Sequence, residues 1–176
     1  TFSPVSKFTT VVSGNVPPNR PSITDPTVNA TGISVNAVVQ ATGFSDADAA
    51  DTHATSTWEV YDSAGLVTSN LVWSKASDAA NLTSIAVTSA NGAFANALAG
   101  QTQLANLTDY WVRVKYTDNR GGTGTFSPVS KFTTVASGNV PPNRPAITDP
   151  TVNATGTSVN AVVQATGFID GDAGDT

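Results

Sequence analysis

The strongest constraint on this chain is an internal repeat with a period of 124 residues. Residues 1–52 return as residues 125–176, and 46 of these 52 positions are identical. The six differences are Val12/Ala136, Ser22/Ala146, Ile33/Thr157, Ser45/Ile169, Ala47/Gly171 and Ala50/Gly174. A repeat of this length is typical of a tandem array in which each unit is a domain with its own core. We therefore expect one complete module, flanked by the end of one neighbour and the start of another.

Two copies of a proline-rich segment mark the predicted module boundaries. Consecutive prolines remove backbone donors and favour extended geometry, which makes a short and semi-rigid spacer. We predict five parts: the closing strand of a preceding module at 1–12, a linker at 13–21, the complete module at 22–134, a second linker at 135–145 and the first part of the following module at 146–176.

The residue pattern within the module favours an all-β domain. Runs rich in Thr and Val are separated by Gly, Pro and Asn, which is typical of strands joined by turns. Residues 91–104 are rich in Ala and Gly and are expected to be irregular. The predicted strands span residues 2–10, 22–24, 33–41, 55–61, 71–73, 84–88, 110–116 and 126–134. About seven strands per module predict an antiparallel β-sandwich.

Charge and composition exclude several classes of partner. Eight Lys and Arg stand against thirteen Asp and Glu, for a net charge of −5, and no basic stripe is present. This balance argues against binding to nucleic acid or to an anionic membrane. The sequence has no Cys and therefore no disulfide or thiolate metal site. No apolar run reaches the length of a membrane span, so we expect none in this segment.

One set of motifs resembles the fibronectin type III family. Leu104, Thr108 and Tyr110 match the turn that leads into the sixth strand (F) of that family, and residues 127–134 (SPVSKFTT) resemble its last strand (G). The resemblance implies an Ig-like sandwich and a tyrosine corner, in which the Tyr110 hydroxyl bonds to backbone upstream. The sequence departs from the family at Asn106, where proline is usual.

A second set of motifs is similar to a bacterial subset of these modules, found in tandem in large repetitive surface proteins. These motifs are residues 44–53 (FSDADAADTH) ahead of a strand with Trp58, and later Tyr110, Trp111, Arg113 and Val114. The resemblance implies an extracellular or cell-surface location and a stalk, fibre or adhesin context. Neighbouring modules of the same chain are then the expected partners, together with other copies of the chain in a filament.

The acidic loop concentrates the residues suited to binding a hard cation. Asp46, Asp48 and Asp51 lie within six residues, and the second copy retains Asp170, Asp172 and Asp175. Calcium takes several oxygen ligands, and this spacing can bring carboxylates to one ion. In a fibronectin-like sandwich the loop shares one end with the turn that holds Asp118 and Asn119. We therefore predict calcium at these eight residues, near the linker. The alternative is that the Asp side chains only form Asx turns and cap the loop.

Other chemistry has weaker support in the sequence. His53 is the only histidine, so a zinc or catalytic role lacks partners, and packing at a strand start is the simpler interpretation. Asp51, Glu59 and Asp62 are carboxylates of the kind that glycosidases use, but Glu59 is expected on a flat, solvent-facing sheet surface. We predict no catalytic residues. Trp58, Trp73 and Trp111 could form a sugar-stacking platform, although Trp58 is expected in the core.

The sequence therefore predicts a structural extender of a long extracellular bacterial protein, stiffened by calcium at the module junctions. Near-identity of neighbouring repeats favours a spacer over a set of distinct binding sites. Two alternatives remain: a module that binds carbohydrate or another surface, and an accessory domain of a secreted enzyme that degrades polysaccharides.

Overall fold

The computed structural model describes residues 14–136, 146–151, 154–156, 160 and 162–167. The chain divides into two compact units, Thr1–Val135 and Ala136–Thr176. The predicted strand at residues 2–10 and most of the second linker lie outside the described residues. The predicted domain bounds therefore stay predictions.

The first unit is built from two β-sheets. The smaller sheet has the order β1-β3-β6 and the larger has the order β2-β9-β8-β4-β5-β7. All pairings in both sheets are antiparallel, except that β2 runs parallel to β9. The strands are β1 (Ile23–Asp25), β2 (Ala30–Ile33), β3 (Val38–Ala41), β4 (His53–Tyr61), β5 (Leu71–Asp78), β6 (Ser84–Ala86), β7 (Ala93–Phe94), β8 (Asp109–Asp118) and β9 (Ser130–Thr134). The predicted all-β sandwich is confirmed.

The core lies between the two sheets and follows from the alternation of β4 and β8. Every second residue of β8 is buried, from Tyr110 to Asp118, because successive side chains of a strand point to opposite faces. Trp58 and Trp73 are fully buried, and each indole N–H donates to a backbone carbonyl at 3.0 Å. This pairing satisfies the polar group of each large ring. The other large core side chains are Val39, Val60, Val72, Ile85, Val87, Leu104, Tyr110, Val112, Val114, Tyr116 and Phe132.

One predicted strand is wrong in an informative way. Residues 33–41 were expected to form a single strand, but the chain changes sheets within them. β2 ends at Ile33 after pairing with β9 in the larger sheet, and β3 begins at Val38 in the smaller one. Ala37 and Val39 then face the core, while Val38 is 48% exposed. The change of sheet lets one segment cover an edge of the larger sheet and still supply the smaller one.

Smaller differences concern strand ends. β5 extends to Asp78, five residues beyond the predicted 71–73, and the closing strand β9 begins at Ser130 rather than at residue 126. The expected irregular segment 91–104 contains β7 and a short 3₁₀ helix, Asn96–Leu98; a second 3₁₀ helix is Thr68–Asn70. Neither helix of the described residues is long and apolar enough to cross a membrane.

The second unit repeats a local feature of the first. β10 (Ile147–Asp149) pairs with β11 (Gln164–Ala165) through Ile147↔Ala165 and Asp149↔Gln164. The same pairings occur 124 residues earlier between β1 and β3, at Ile23↔Ala41 and Asp25↔Gln40. The register of this pair of strands therefore follows the repeated sequence.

Candidate metal site

Three carboxylates converge at one end of the sandwich. Asp46 and Asp51 lie in the loop between β3 and β4, and Asp118 ends β8. One oxygen from each lies within 4.8 Å of the other two. The loop is shaped by its own Asx hydrogen bond, in which the Asp48 N–H donates to Asp46 Oδ1 at 2.9 Å. The spacing i, i+5 in the loop thus places two carboxylates beside a third from a distant strand.

Three buried oxygens without partners belong to residues in this cluster or bonded to it. Asp46 Oδ2, Asp51 Oδ2 and Asn15 Oδ1 are buried and have no hydrogen-bond partner among the described residues. The side chain of Asp51 is 0% exposed. Buried polar atoms are normally paired, and an unpaired oxygen costs about 1–3 kcal/mol or more when charged. The arrangement therefore leaves acceptors that a cation would satisfy.

Asp118 is held by hydrogen bonds from three directions. The Asn15 side-chain amide donates to Oδ2 at 2.9 Å, and the backbone N–H groups of Arg120 and Gly122 donate to Oδ1 at 2.7 and 2.9 Å. Burial raises the pKa of Asp118, but these hydrogen bonds and the Arg120 charge outweigh it and hold the pKa below its usual range. Asp118 is thus kept as a carboxylate, the form that binds a cation.

Two other predicted ligands, Asp48 and Asn119, accept hydrogen bonds from backbone N–H groups. Asp48 Oδ2 accepts the backbone N–H of Val16 at 2.9 Å. Asn119 Oδ1 accepts the backbone N–H of Thr52 at 2.9 Å, and the Asn119 N–H donates back to the Thr52 carbonyl. The Asx turns of the alternative interpretation are formed by other side chains: Asp46 accepts the Asp48 N–H, and Asp118 accepts the Arg120 N–H. Asp170, Asp172 and Asp175, the remaining predicted ligands, lie outside the described residues.

A positive charge lies at the rim of the cluster. Arg120 Nη1 is 3.5 Å from Asp51 Oδ1 and 3.8 Å from Asp48 Oδ2. The arginine side chain is 42% exposed, and both separations are long for a charge-assisted hydrogen bond. Arg120 therefore balances only part of the negative charge and leaves Asp51 Oδ2 and Asp46 Oδ2 unpaired.

The N-terminal strap, defined here as residues 14–21, packs across the same end of the sandwich. The Asn19 N–H donates to the Ser45 carbonyl at 2.8 Å, and Arg20 Nε donates to the Phe126 carbonyl at 2.5 Å. Pro18 and Pro21 are buried. A Cβ added at Gly124 would lie 2.5 Å from the Pro18 carbonyl oxygen, so the strap approaches the backbone there closely. The described part of the predicted linker is thus fixed to the module that follows it.

Asn15 is the residue that sequence reasoning missed. Its amide reaches a carboxylate 103 residues away, and a Cβ at Gly122 would collide with both the Asn15 amide and the Asp118 carboxylate. The available signal was the exact repetition of the segment, since Asn139 occupies the same place in the second copy.

His53 is a packed residue at the start of β4. Its ring lies 5.0 Å from that of Phe44 and 4.1 Å from that of Tyr116, and Nε2 is 2.9 Å from Ser56 Oγ. Burial lowers the pKa of His53, against a smaller opposing effect of a hydrogen bond to the Thr55 backbone. The expected packing at the start of a strand is confirmed.

The other sequence candidates are held in separate networks. Glu59 lies on the outer face of the larger sheet, as expected, but its side chain is only 18% exposed because Arg113 and Tyr61 bond to it. Asp62 accepts from the Asn70 amide at 3.0 Å. Asp51, Glu59 and Asp62 therefore do not form a carboxylate pair.

Trp58 and Trp73 are buried, and Trp111 lies 5.7 Å from Lys131 Nζ on the outer face. The three tryptophans therefore do not form a sugar-stacking platform.

Two open surface depressions lie elsewhere among the described residues. One, of about 450 Å³, is lined by Ser74, Lys75, Ser89 and Asn91, and the other, of about 370 Å³, by Leu98, Gln101, Gln103 and Asn106. Neither is lined by a carboxylate or an imidazole. The acidic end of the sandwich remains the strongest candidate site.

Comparisons with known proteins bear on the fold. No family model and no curated protein matches the chain. An α-L-rhamnosidase from Dictyoglumus thermophilum is 17% identical over 70% of this chain and 13% of its own, with a TM-score of 0.51. One from Streptomyces avermitilis, complexed with L-rhamnose, is 18% identical over 68% of this chain and 10% of its own, with a TM-score of 0.47. Fibronectin(III)-like modules of Clostridium thermocellum CbhA are 17% identical over 86% of this chain and 63% of theirs, with a TM-score of 0.39.

The class of the module follows from its topology. Two packed sheets, strand orders β1-β3-β6 and β9-β8-β4-β5, and a tyrosine corner define a fibronectin type III-like β-sandwich. The corner is confirmed, since the Ala105 N–H donates to the Tyr110 hydroxyl at 2.9 Å. The chain spans only 13% and 10% of the two rhamnosidases, and at these identities the likeness concerns the fold alone.

Proposed function

We propose that this chain is a segment of a structural extender in a long, repetitive extracellular bacterial protein, a stalk or fibre at the cell surface. The observation that carries the proposal is the packing of the N-terminal strap on the module that follows it. A strap held by both loops at one end of the sandwich sets the direction in which the chain enters, whereas a loose linker would not.

The repeat supports the same role. The two copies agree at 46 of 52 positions, so each unit of an array would repeat one geometry. A sandwich whose longest strand has ten residues, at about 3.3 Å each, extends the array by roughly 30–40 Å per module. Length is then set by the number of modules. The partners are neighbouring modules and other copies of the chain, and the role is not catalytic.

The experiment that tests the extender is small-angle X-ray scattering from chains of one, two and three complete repeats in calcium. We expect the maximum dimension to grow by a constant roughly 30–40 Å for each added repeat, as for a rod. A maximum dimension that grows with about the square root of repeat number would instead indicate modules on flexible joints and would refute the stiff extender.

The alternative of an accessory domain in a polysaccharide-degrading enzyme has no specific support at the site. The rhamnosidase likeness concerns a small part of those enzymes. A carbohydrate-binding platform would need several exposed aromatic rings. Trp58 and Trp73 are buried, and Trp111 is half-buried on the outer face beside Lys131. The extender remains the preferred function.

A further inference from the structure

The buried oxygens at the acidic end of the sandwich indicate a binding site for a group that contacts oxygen atoms. Three of them, from Asn15, Asp46 and Asp51, have no partner among the described residues, and Asp118 lies beside them. A side chain that is 0% exposed, as in Asp51, cannot pair its second oxygen with bulk water. An oxygen-binding group must complete the cluster or the module carries the cost of three unpaired acceptors.

The spacing of the carboxylates matches a calcium ion. Their oxygens lie within 4.8 Å of one another, so all three can contact one ion at calcium–oxygen bonds of about 2.4 Å. Magnesium gives up its waters reluctantly and is usually held by one or two carboxylates with several waters, so a set of four protein oxygens favours calcium. Loop carboxylates and an amide carbonyl are the hard oxygen ligands that calcium takes.

We propose that one calcium ion binds this end of the module, coordinated by the side-chain oxygens of Asn15, Asp46, Asp51 and Asp118. The ion ties the N-terminal strap to both loops, because Asn15 is the one ligand of the four that lies in the strap. Asp48 and Asn119 are not ligands; they hold Val16 and Thr52 in place. Waters or second carboxylate oxygens complete the six to eight oxygens that calcium takes.

The donor set repeats along the sequence. Asn139, Asp170 and Asp175 occupy the equivalent positions 124 residues later. The role of the ion in stiffening an array rests on the proposed extender function, whereas binding to one module does not. Each module of an array would then carry one ion at the point where the chain enters it.

Isothermal titration calorimetry of the 176-residue chain with CaCl₂ tests the site. We expect one ion per chain, because the partial second copy contains no counterpart of Asp118. Asp51→Asn should weaken binding by about tenfold or more, at least the loss expected for a group that supports a metal site. Asp48→Asn is the matched control: it removes the same charge from the same loop, and its amide oxygen can still accept from Val16. It should stay within about threefold of wild type.

Thermal unfolding shows whether a variant that loses calcium binding is still folded. In EDTA, Asp51→Asn should be as stable as wild type or more stable, because it removes one of several clustered negative charges. In calcium it should lose the rise in Tm that ligand binding gives the wild type. Asn15→Ala should weaken binding and also abolish calcium protection of the strap from limited proteolysis.

Three results would overturn the inference: no heat of binding, equal loss in Asp48→Asn and Asp51→Asn, or binding of MgCl₂ as tight as CaCl₂. These results are separable from failure of the extender. A three-repeat chain that scatters as a rod although calorimetry shows no calcium binding would leave the extender intact while the ion site failed. Calcium binding by calorimetry together with scattering typical of a flexible chain would support the ion site and refute the extender.

Discussion

At the scale of single residues, His53 links packing to pH. Its ring packs against those of Phe44 and Tyr116, and burial holds its pKa below the usual 6.5. The unfolded chain therefore takes up a proton first as pH falls below about 6.5. The contribution of His53 to the free energy of unfolding is fully present above that pH. It is lost as the pH falls from about 6.5 through the lower pKa of the folded state.

This effect predicts two observations. As the only histidine, His53 should titrate by NMR with a midpoint below 6.5. Lowering the pH from 7.5 to 5.5 should reduce the urea midpoint of the wild type more than that of His53→Gln, since the carboxylates are common to both chains. A titration midpoint at or above 6.5 would contradict the burial argument.

Gly92 is a second position where one added atom should change the free energy of unfolding. A Cβ there would lie 2.5 Å from the Trp73 ring and 2.6 Å from the Ser74 carbonyl oxygen. We expect Gly92→Ala to lower the free energy of unfolding by about 1–3 kcal/mol, since the buried indole cannot move without strain. Gly65→Ala is the matched control, because its Cβ would meet only Ser63 Oγ at an ordinary 3.7 Å. Urea unfolding followed by tryptophan fluorescence compares the two, and equal stabilities would refute the packing argument.

At the scale of elements, the strap is the segment whose position has the most consequence. A Cβ at Gly124 would press on the Pro18 carbonyl, and Pro18 itself is buried. Gly124→Ala should therefore loosen the strap while leaving the two sheets intact. We expect the Asn19 amide, which bonds to the Ser45 carbonyl, to exchange its hydrogen about tenfold faster.

Hydrogen exchange measured by NMR provides the comparison for this variant. Amides in the centre of β8 should exchange as in the wild type. Gly43→Ala is the matched control, since its Cβ would meet nothing within 4 Å and the residue lies outside the strap. If Gly124→Ala leaves Asn19 exchange unchanged, the strap is not held by this close approach.

The elements also show what the sequence can and cannot predict. The alternation of β4 and β8 predicts both strands and their buried faces, because that pattern is local. The break between β2 and β3 is not predicted, because it depends on β9, whose Phe132 and Thr134 pair with Ala30 and Ile33. The chain turns at Val35 and Asn36, where the Asn36 N–H donates to Ser34 Oγ at 3.1 Å. Ser34 and Asn36 also fit the polar positions of an alternating strand, so the sequence pattern is typical of one strand.

The candidate site could also be predicted only in part from the sequence. Clustered Asp residues at 46, 48 and 51 predict an acidic loop, and the fibronectin resemblance predicts that Asp118 lies near it. Which carboxylate turns inward depends on backbone hydrogen bonds, such as Val16 N–H to Asp48. Asn15 could not be assigned because a proline-rich segment is typical of a linker, and its contact spans 103 residues.

At the scale of the whole molecule, near-identical repeats create a competition during folding. Residues 146–167 copy a segment that, in the complete module, forms β1, β2 and β3. β10 and β11 already adopt the β1–β3 register in the described part of the second unit. Early in folding, the copy can therefore occupy the place of the first segment on β6 and β9, and this pairing must be undone before the native sandwich forms.

We expect residues 1–176 to refold from urea with a slow phase that is reduced or absent in residues 1–136. Stopped-flow fluorescence of Trp58 and Trp73, both buried in the native module, reports the reaction. Val163→Asp provides the matched control. Val163 is 65% exposed, but its counterpart Val39 is 0% exposed, so the charge is tolerated in the native chain and costly only if the copy enters the core. The variant should therefore refold like residues 1–136. Identical traces for all three chains would show that the copies do not compete during folding. Each copy would then pair only with strands close to it in the sequence.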